Sequence, residues 1–183
     1  TFDSNLSMHE HIKKLVTSCS FQIRQLRLIK KSLDNSSLIS LIHSFVHSRL
    51  DYCNSLFYGI SNREMAMIQS VQNRAAKIVT VGLKYDHVGT ILRQLHWLPV
   101  NKRVVFKICV MMFKCLNNLA PEYQSKRFFE VSSIPPAYDT RHNSFNFLVV
   151  PATRLKIAAR SFAISGPTVW NMLPFSLRQP GLK

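Results

Sequence analysis

Ser61-Asn62-Arg63-Glu64-Met65-Ala66-Met67-Ile68-Gln69-Ser70-Val71-Gln72-Asn73-Arg74-Ala75-Ala76-Lys77-Ile78-Val79 is the stretch that decides the fold. Its opening Ser61-x-x-Glu64 is a capping box, in which serine and glutamate side chains satisfy the first free amides of a helix. Met65, Ile68, Val71, Ala75, Ile78 and Val79 then recur at helical spacing and define an inward face. The spacing predicts a helix to about Val81. Arg63, Arg74 and Lys77 stand 11 and 14 residues apart, so they share a second face of that helix.

The same period extends upstream. Ile12, Leu15, Val16, Cys19, Ile23, Leu26 and Leu33 form one apolar stripe, bordered by Lys13, Arg24, Arg27 and Lys31. Asp34-Asn35 reads as a stop, with Ser36 or Ser37 as the cap of the next helix. That helix, about Leu38 to Tyr58, is apolar around most of its circumference and carries only Arg49 and Asp51 as formal charges. So few charges predict a central position, and Gly59 suits its termination.

Downstream, after Gly82, a short helix runs through Ile91, Leu92 and Leu95 to a turn at His96-Trp97-Leu98-Pro99. A further long helix is expected from about Asn101 to Leu116, and Pro121 fits the first turn of one more. Beyond Val131 the period is lost. Pro135-Pro136 and the polar run to Asn146 read as a linker, Phe147–Pro151 as a short strand, and Gly166–Asn171 as a compact turn followed by aromatic packing. The expected fold is mainly α: a helical bundle over 1–127, then a less regular tail over 128–183 with short extended segments.

Composition narrows the function. The 183 residues carry 24 Lys+Arg against nine Asp+Glu, a formal charge of +15. Bases are most concentrated in the middle, eleven against three acids over 61–127. A balance set by scarce acids favours a polyanionic partner, nucleic acid or an acidic surface. The longest apolar window, Val104 to Phe113, is interrupted by Lys107 and is about half of what a membrane span needs. Cys19, Cys53, Cys109 and Cys115 have no C-x-x-C spacing, and Thr1-Phe2-Asp3-Ser4 resembles no secretory leader. The expectation is a reduced, intracellular setting, cytoplasmic or nuclear, with no membrane partner, and a piece of a longer protein.

The sequence offers little for catalysis. Its acids stand singly, and it holds neither phosphate-binding glycine loop nor nucleophile elbow. His43 and His47 share a helical face, the spacing of zinc ligands, yet Ser44-Phe45-Val46 between them supplies no carboxylate. They read as the polar edge of a buried helix, and no metal or other cofactor is expected. Phosphate binding needs bases arrayed on a rigid face. Lys13, Arg24, Arg27 and Lys31 offer one row, and Arg63, Arg74, Lys77 and Lys84 a second, with Gln69, Gln72 and Asn73 placed to reach sugars or groove edges.

Four stretches carry a resemblance. Ser48-Arg49-Leu50-Asp51-Tyr52-Cys53-Asn54-Ser55-Leu56-Phe57-Tyr58-Gly59, Ile68-Gln69-Ser70-Val71-Gln72-Asn73-Arg74-Ala75-Ala76 and Leu95-His96-Trp97-Leu98-Pro99-Val100 come first, in that order. Gly166-Pro167-Thr168-Val169-Trp170-Asn171-Met172-Leu173-Pro174 closes the set. Together they resemble the region after the palm in reverse transcriptases of LINE-type (non-LTR) retrotransposons, especially the jockey-like lineages. There the closing word commonly begins with Ala, where this chain has Gly166.

The resemblance implies the thumb and C-terminal segment of an RNA-directed DNA polymerase. The palm of that family binds its two metal ions, Mg2+, through a Tyr/Phe-x-Asp-Asp motif and an upstream Asp; this sequence has no Asp-Asp. The implied role is therefore to hold the primer–template duplex or RNA–DNA hybrid beside palm and fingers of the same polyprotein. Lys13, Arg24, Arg27, Lys31, Arg63, Arg74 and Lys77 are the expected backbone contacts. The alternatives are a helical protein-interaction module anchored by Trp97, Trp170 and Phe175, three aromatics whose first reading is core packing, and a truncated relic without function.

Overall fold

A computed structural model describes residues 7–80, 87–128 and 147–178. The chain divides into two compact units, Thr1–Val104 and Val105–Lys183. The division falls inside the 1–127 stretch that periodicity groups as one helical domain. Helix is the dominant regular structure among the described residues, and none of these helices is long and apolar enough to cross a membrane.

In the first unit, α1 spans His9–Ile29 and buries Ile12, Cys19, Ile23 and Leu26, a stripe spaced by seven, four and three residues. The helix stops before the expected stripe does. Lys30–Ser32 tighten into a 3-10 turn, so Lys31 and Leu33 leave the helical register. The next helix, α2 at Asn35–Ile42, is capped by Asp34 and not by either serine. The Asp34 carboxylate accepts from the Ser37 amide at 3.0 Å and the Ser36 hydroxyl at 2.6 Å, and these bonds hold its pKa well below the usual range.

The run predicted as a single helix to Tyr58 is broken twice. After α2 the chain widens into a π turn at His43–His47, resumes as α3 at Ser48–Asp51, and reverses at Cys53, which takes a left-handed φ of 51°. A 3-10 turn, Asn54–Phe57, follows, and Gly59 at φ 71° ends the segment. Leu38, Ile42, Val46 and Leu50 are buried at four-residue intervals, whereas Phe45 and Tyr52 are exposed. Only one side of this run is covered, so the expectation of a central helix is wrong. Cys53 is exposed on the reversal.

Helix α4, Asn62–Val79, has the capping box foreseen for it: the Glu64 amide donates to Ser61 Oγ at 3.2 Å, and the Ser61 amide to Glu64 Oε2 at 3.0 Å. Ile68, Val71, Ala75, Ile78 and Val79 are buried. A fully buried aliphatic side chain contributes roughly 1.5–3 kcal/mol, so this face anchors the unit. Helix α5, Val88–Gln94, ends where His96 adopts φ 54° and the Trp97 amide returns to the Leu92 carbonyl at 2.8 Å. The first turn of α6, Val100–Leu116, completes the unit.

In the second unit, the rest of α6 is followed by α7 (Glu122–Ser125), which Pro121 precedes as cap. The linker expected through 135–146 lies outside the described residues, as do Gly82 and Lys84. Two helices occupy the described part of the tail, α8 (Lys156–Ala159) and α9 (Phe162–Asn171). Gly166 and Pro167, expected in a turn, lie inside α9. Of the strand predicted at 147–151, the described residues show a single bridge position, Leu148. Leu148 is also held by one side chain: its amide donates to Asn171 Oδ1 at 2.9 Å, and its carbonyl accepts from Asn171 Nδ2 at 2.8 Å. An amide presents the same donor and acceptor as a neighbouring strand, so Asn171 satisfies both backbone groups of Leu148.

Met112, Leu148 and Trp170 form the core of this unit, with Phe113, Leu116, Phe128, Phe162 and Leu173 around them. A Cβ on Gly166 would lie 2.5 Å from Met112 Sδ, so the helix here meets Met112 at the distance a glycine permits.

Candidate nucleic-acid interface

The first unit is organised around α1, with α4 along one side and the α2–α3 run along another. Two contacts fix how α1 and α4 run. His9 Nδ1 lies 3.5 Å from Glu64 Oε1, and Arg74 Nη2 donates to Ser20 Oγ at 2.9 Å. Eleven residues on in α1 thus correspond to ten on in α4, and the two helices are parallel.

This register sorts the seven sequence-derived cations. Lys13, Ser20, Arg24 and Arg27, spaced by seven, four and three, share the stripe of α1 that meets Arg74. Arg24 and Arg27 lie one and two turns beyond Ser20, and Lys77 lies one turn beyond Arg74. The fold therefore groups Arg24, Arg27, Arg74 and Lys77, all exposed, in the C-terminal half of the pair. It separates the other three. Lys13 is engaged by Glu10 at 3.0 Å, Arg63 sits about 16 Å before Arg74 along α4, and Lys31 is in the 3-10 turn.

The acids explain the contrast. Among the described residues of this unit, Glu10 bonds Lys13, Glu64 bonds Ser61 and faces His9, Asp34 caps α2, and Asp51 pairs with Arg103. None pairs with the cations of the C-terminal half. Basic residues in the last turn of a helix also complement its dipole, for about 0.3–1 kcal/mol each. That accounts for Arg27 and Lys77 but not for Arg24 or Arg74, which lie further in.

The polar residues proposed as groove readers take a different role. Gln72 is fully buried and donates to the Leu98 carbonyl at 3.0 Å. Gln69 accepts from the Val100 amide at 2.8 Å and donates to Gln72 and to Asn73 at 2.9 and 2.8 Å. Gln69 and Gln72 clasp the turn after α5 and are engaged by the fold, while half-buried Asn73 is held by Gln69. The first stretch of the resemblance joins the same assembly through Asp51, which accepts from Arg103 Nε at 2.7 Å. Periodicity assigns Gln72 no direction, because it lies at the margin of the apolar stripe.

His43 and His47 are also reassigned. Their Nδ1 atoms are 3.1 Å apart, and both rings meet Trp97 edge-on, at 5.5 and 4.3 Å between centroids. His47 is 2% exposed, and burial lowers its pKa to about 4, aided by the Arg103 charge. His43, by contrast, is exposed. Among the described residues, no three His, Cys, Asp or Glu side chains stand together as metal ligands would. Trp97 and Trp170, offered as anchors for a protein partner, are 5% and 6% exposed and belong to the interior.

Compared with known protein families, with curated proteins and with solved structures, the chain matches none.

Proposed function

We propose that this chain is the post-palm, C-terminal portion of a LINE-type reverse transcriptase, and that its work is to hold the phosphate backbone of a primer–template duplex or RNA–DNA hybrid. The observation that carries the binding role is the grouping of Arg24, Arg27, Arg74 and Lys77 along two parallel helices with no carboxylate among them. Such a row attracts phosphates whatever their sequence, and its strength comes from counterion release. The four quoted stretches supply the assignment to that family, and catalysis belongs to the palm that they follow.

The protein-interaction alternative is weakened, since two of its three anchors are buried.

The test is fluorescence anisotropy of a labelled RNA–DNA hybrid over a salt series. Four phosphate contacts predict a loss of affinity of about 10²–10³-fold between about 50 and 300 mM salt. Changing Arg24, Arg27 and Lys77 to Gln should flatten this dependence while leaving the fold intact. Equal affinity at both salt concentrations refutes the binding role.

A further inference from the structure

We infer a second contact, beyond the basic row: Arg49 and Arg74 straddle α1, each seated on one of its serines, and Phe21 stands exposed on the crest between them as a stacking face for an unpaired base of a single nucleic-acid strand. This inference rests on the nucleic-acid reading above and shares Arg74 with it.

The geometry follows from three consecutive positions. Successive helical residues are about 100° apart, so Ser18 and Ser20 fall on opposite borders of the buried Cys19. Arg49 of α3 donates to Ser18 Oγ, and Arg74 of α4 donates to Ser20 Oγ. Phe21, two residues after Cys19, points away from the core and is 55% exposed. Both guanidiniums act on the thiol between them: burial pushes the Cys19 pKa up, and Arg49 and Arg74 pull against it.

Neither arginine has a carboxylate partner among the described residues, for the four acids of the unit are engaged elsewhere. A serine hydroxyl occupies little of a guanidinium's five-donor fork, so each arginine keeps donors for a phosphate while its side chain is held in place. Flanking cations and an exposed aromatic ring are the two parts of a single-strand site: phosphates on the cations, a base on the ring. A duplex keeps its bases stacked inside and offers Phe21 nothing. A lipid surface fits less well, because Gln25 interrupts the crest between Phe21 and the exposed Leu28, and Thr17 flanks Phe21 on the other side.

The experiment compares wild-type chain with Phe21→Ala and Arg49→Gln on a labelled oligothymidylate of about 12 nucleotides and on a blunt RNA–DNA hybrid. Phe21→Ala should weaken oligothymidylate binding by about 5- to 100-fold and leave hybrid binding within about twofold. Arg49→Gln should weaken oligothymidylate binding and make its salt slope shallower by about 0.7. Both positions are exposed, and an unchanged melting midpoint confirms the fold.

An oligothymidylate affinity indifferent to Phe21→Ala overturns the inference, as does an equal loss on both ligands. Wild-type binding to the hybrid alone overturns it too, leaving the function of the basic row standing; binding to neither refutes both. If Phe21→Ala abolishes binding to phosphatidylserine vesicles while oligothymidylate binding is unchanged, the crest is a membrane contact instead.

Discussion

Gln72 and Arg74 are two residues apart on α4 and belong to opposite worlds. Gln72 is fully buried, and its amide is consumed by the chain turn at Leu98; Arg74 is exposed and reaches only a serine and a backbone carbonyl. One face of the helix spends its polar groups on holding the fold, while the other keeps its charges unpaired. A basic, amide-rich helix thus need not present all of its polar residues to one ligand. Substitutions on the two faces should therefore separate stability from binding.

The largest stability effect expected is at His47, behind the same turn. Its folded pKa is about 4 against 6.5 when free, so below pH 6.5 the unfolded chain takes up a proton that the folded chain refuses. Stability should be unaffected by this group above pH 6.5 and fall by roughly 3 kcal/mol as pH drops from 6.5 towards 4. Urea denaturation across that window measures it, and His47→Phe, which keeps a ring against Trp97, should remove most of the slope. A wild-type curve without that fall would mean the imidazole is not buried neutral.

Gln72→Ala comes next. It leaves the Leu98 carbonyl without its partner and a cavity at a fully buried site, for about 2–3 kcal/mol. Asn171→Ala carries the comparison into the second unit: Leu148 loses a donor and an acceptor contact at once, worth about 2 kcal/mol by thermal or chemical melting. Should either substitution be silent, the clasping role of these amides fails.

The smallest change in stability is expected on the basic face. Arg24→Gln should shift it by no more than about 0.5 kcal/mol, and Lys77→Gln, whose charge meets the end of the α4 dipole, by no more than about 1 kcal/mol, since both are exposed without carboxylate partners among the described residues. The same pair should lower the salt slope of hybrid binding by about 1.8. Marked destabilisation would assign these cations to the fold and erase the contrast with Gln72.

How much of this was legible varied with the kind of signal. The capping box at Ser61–Glu64 and the burial of Ile68, Val71, Ala75 and Ile78 follow from local spacing, and both were predicted in place. Asp34 was passed over as a cap for Ser36 and Ser37, because all three are capping residues and only the backbone angles at Asp34 distinguish them. The π turn at His43–His47 left no mark on the spacing, since Leu38, Ile42, Val46 and Leu50 keep their four-residue interval through it. In the tail, Gly166-Pro167 looked like a turn on propensity alone; packing against Met112 overrides that preference and keeps the pair in α9.

By itself, then, the sequence determined that the chain is mainly helical, where most of the long helices lie and which apolar faces they bury, because period and capping act over a few neighbouring residues. It also determined the excess of positive charge, a property of composition. Tertiary structure decided which polar residues face inward and which cations stand together. Gln72 meets Leu98 across 26 positions and Arg74 meets Ser20 across 54, and no local pattern encodes a register set between helices that distant in the chain.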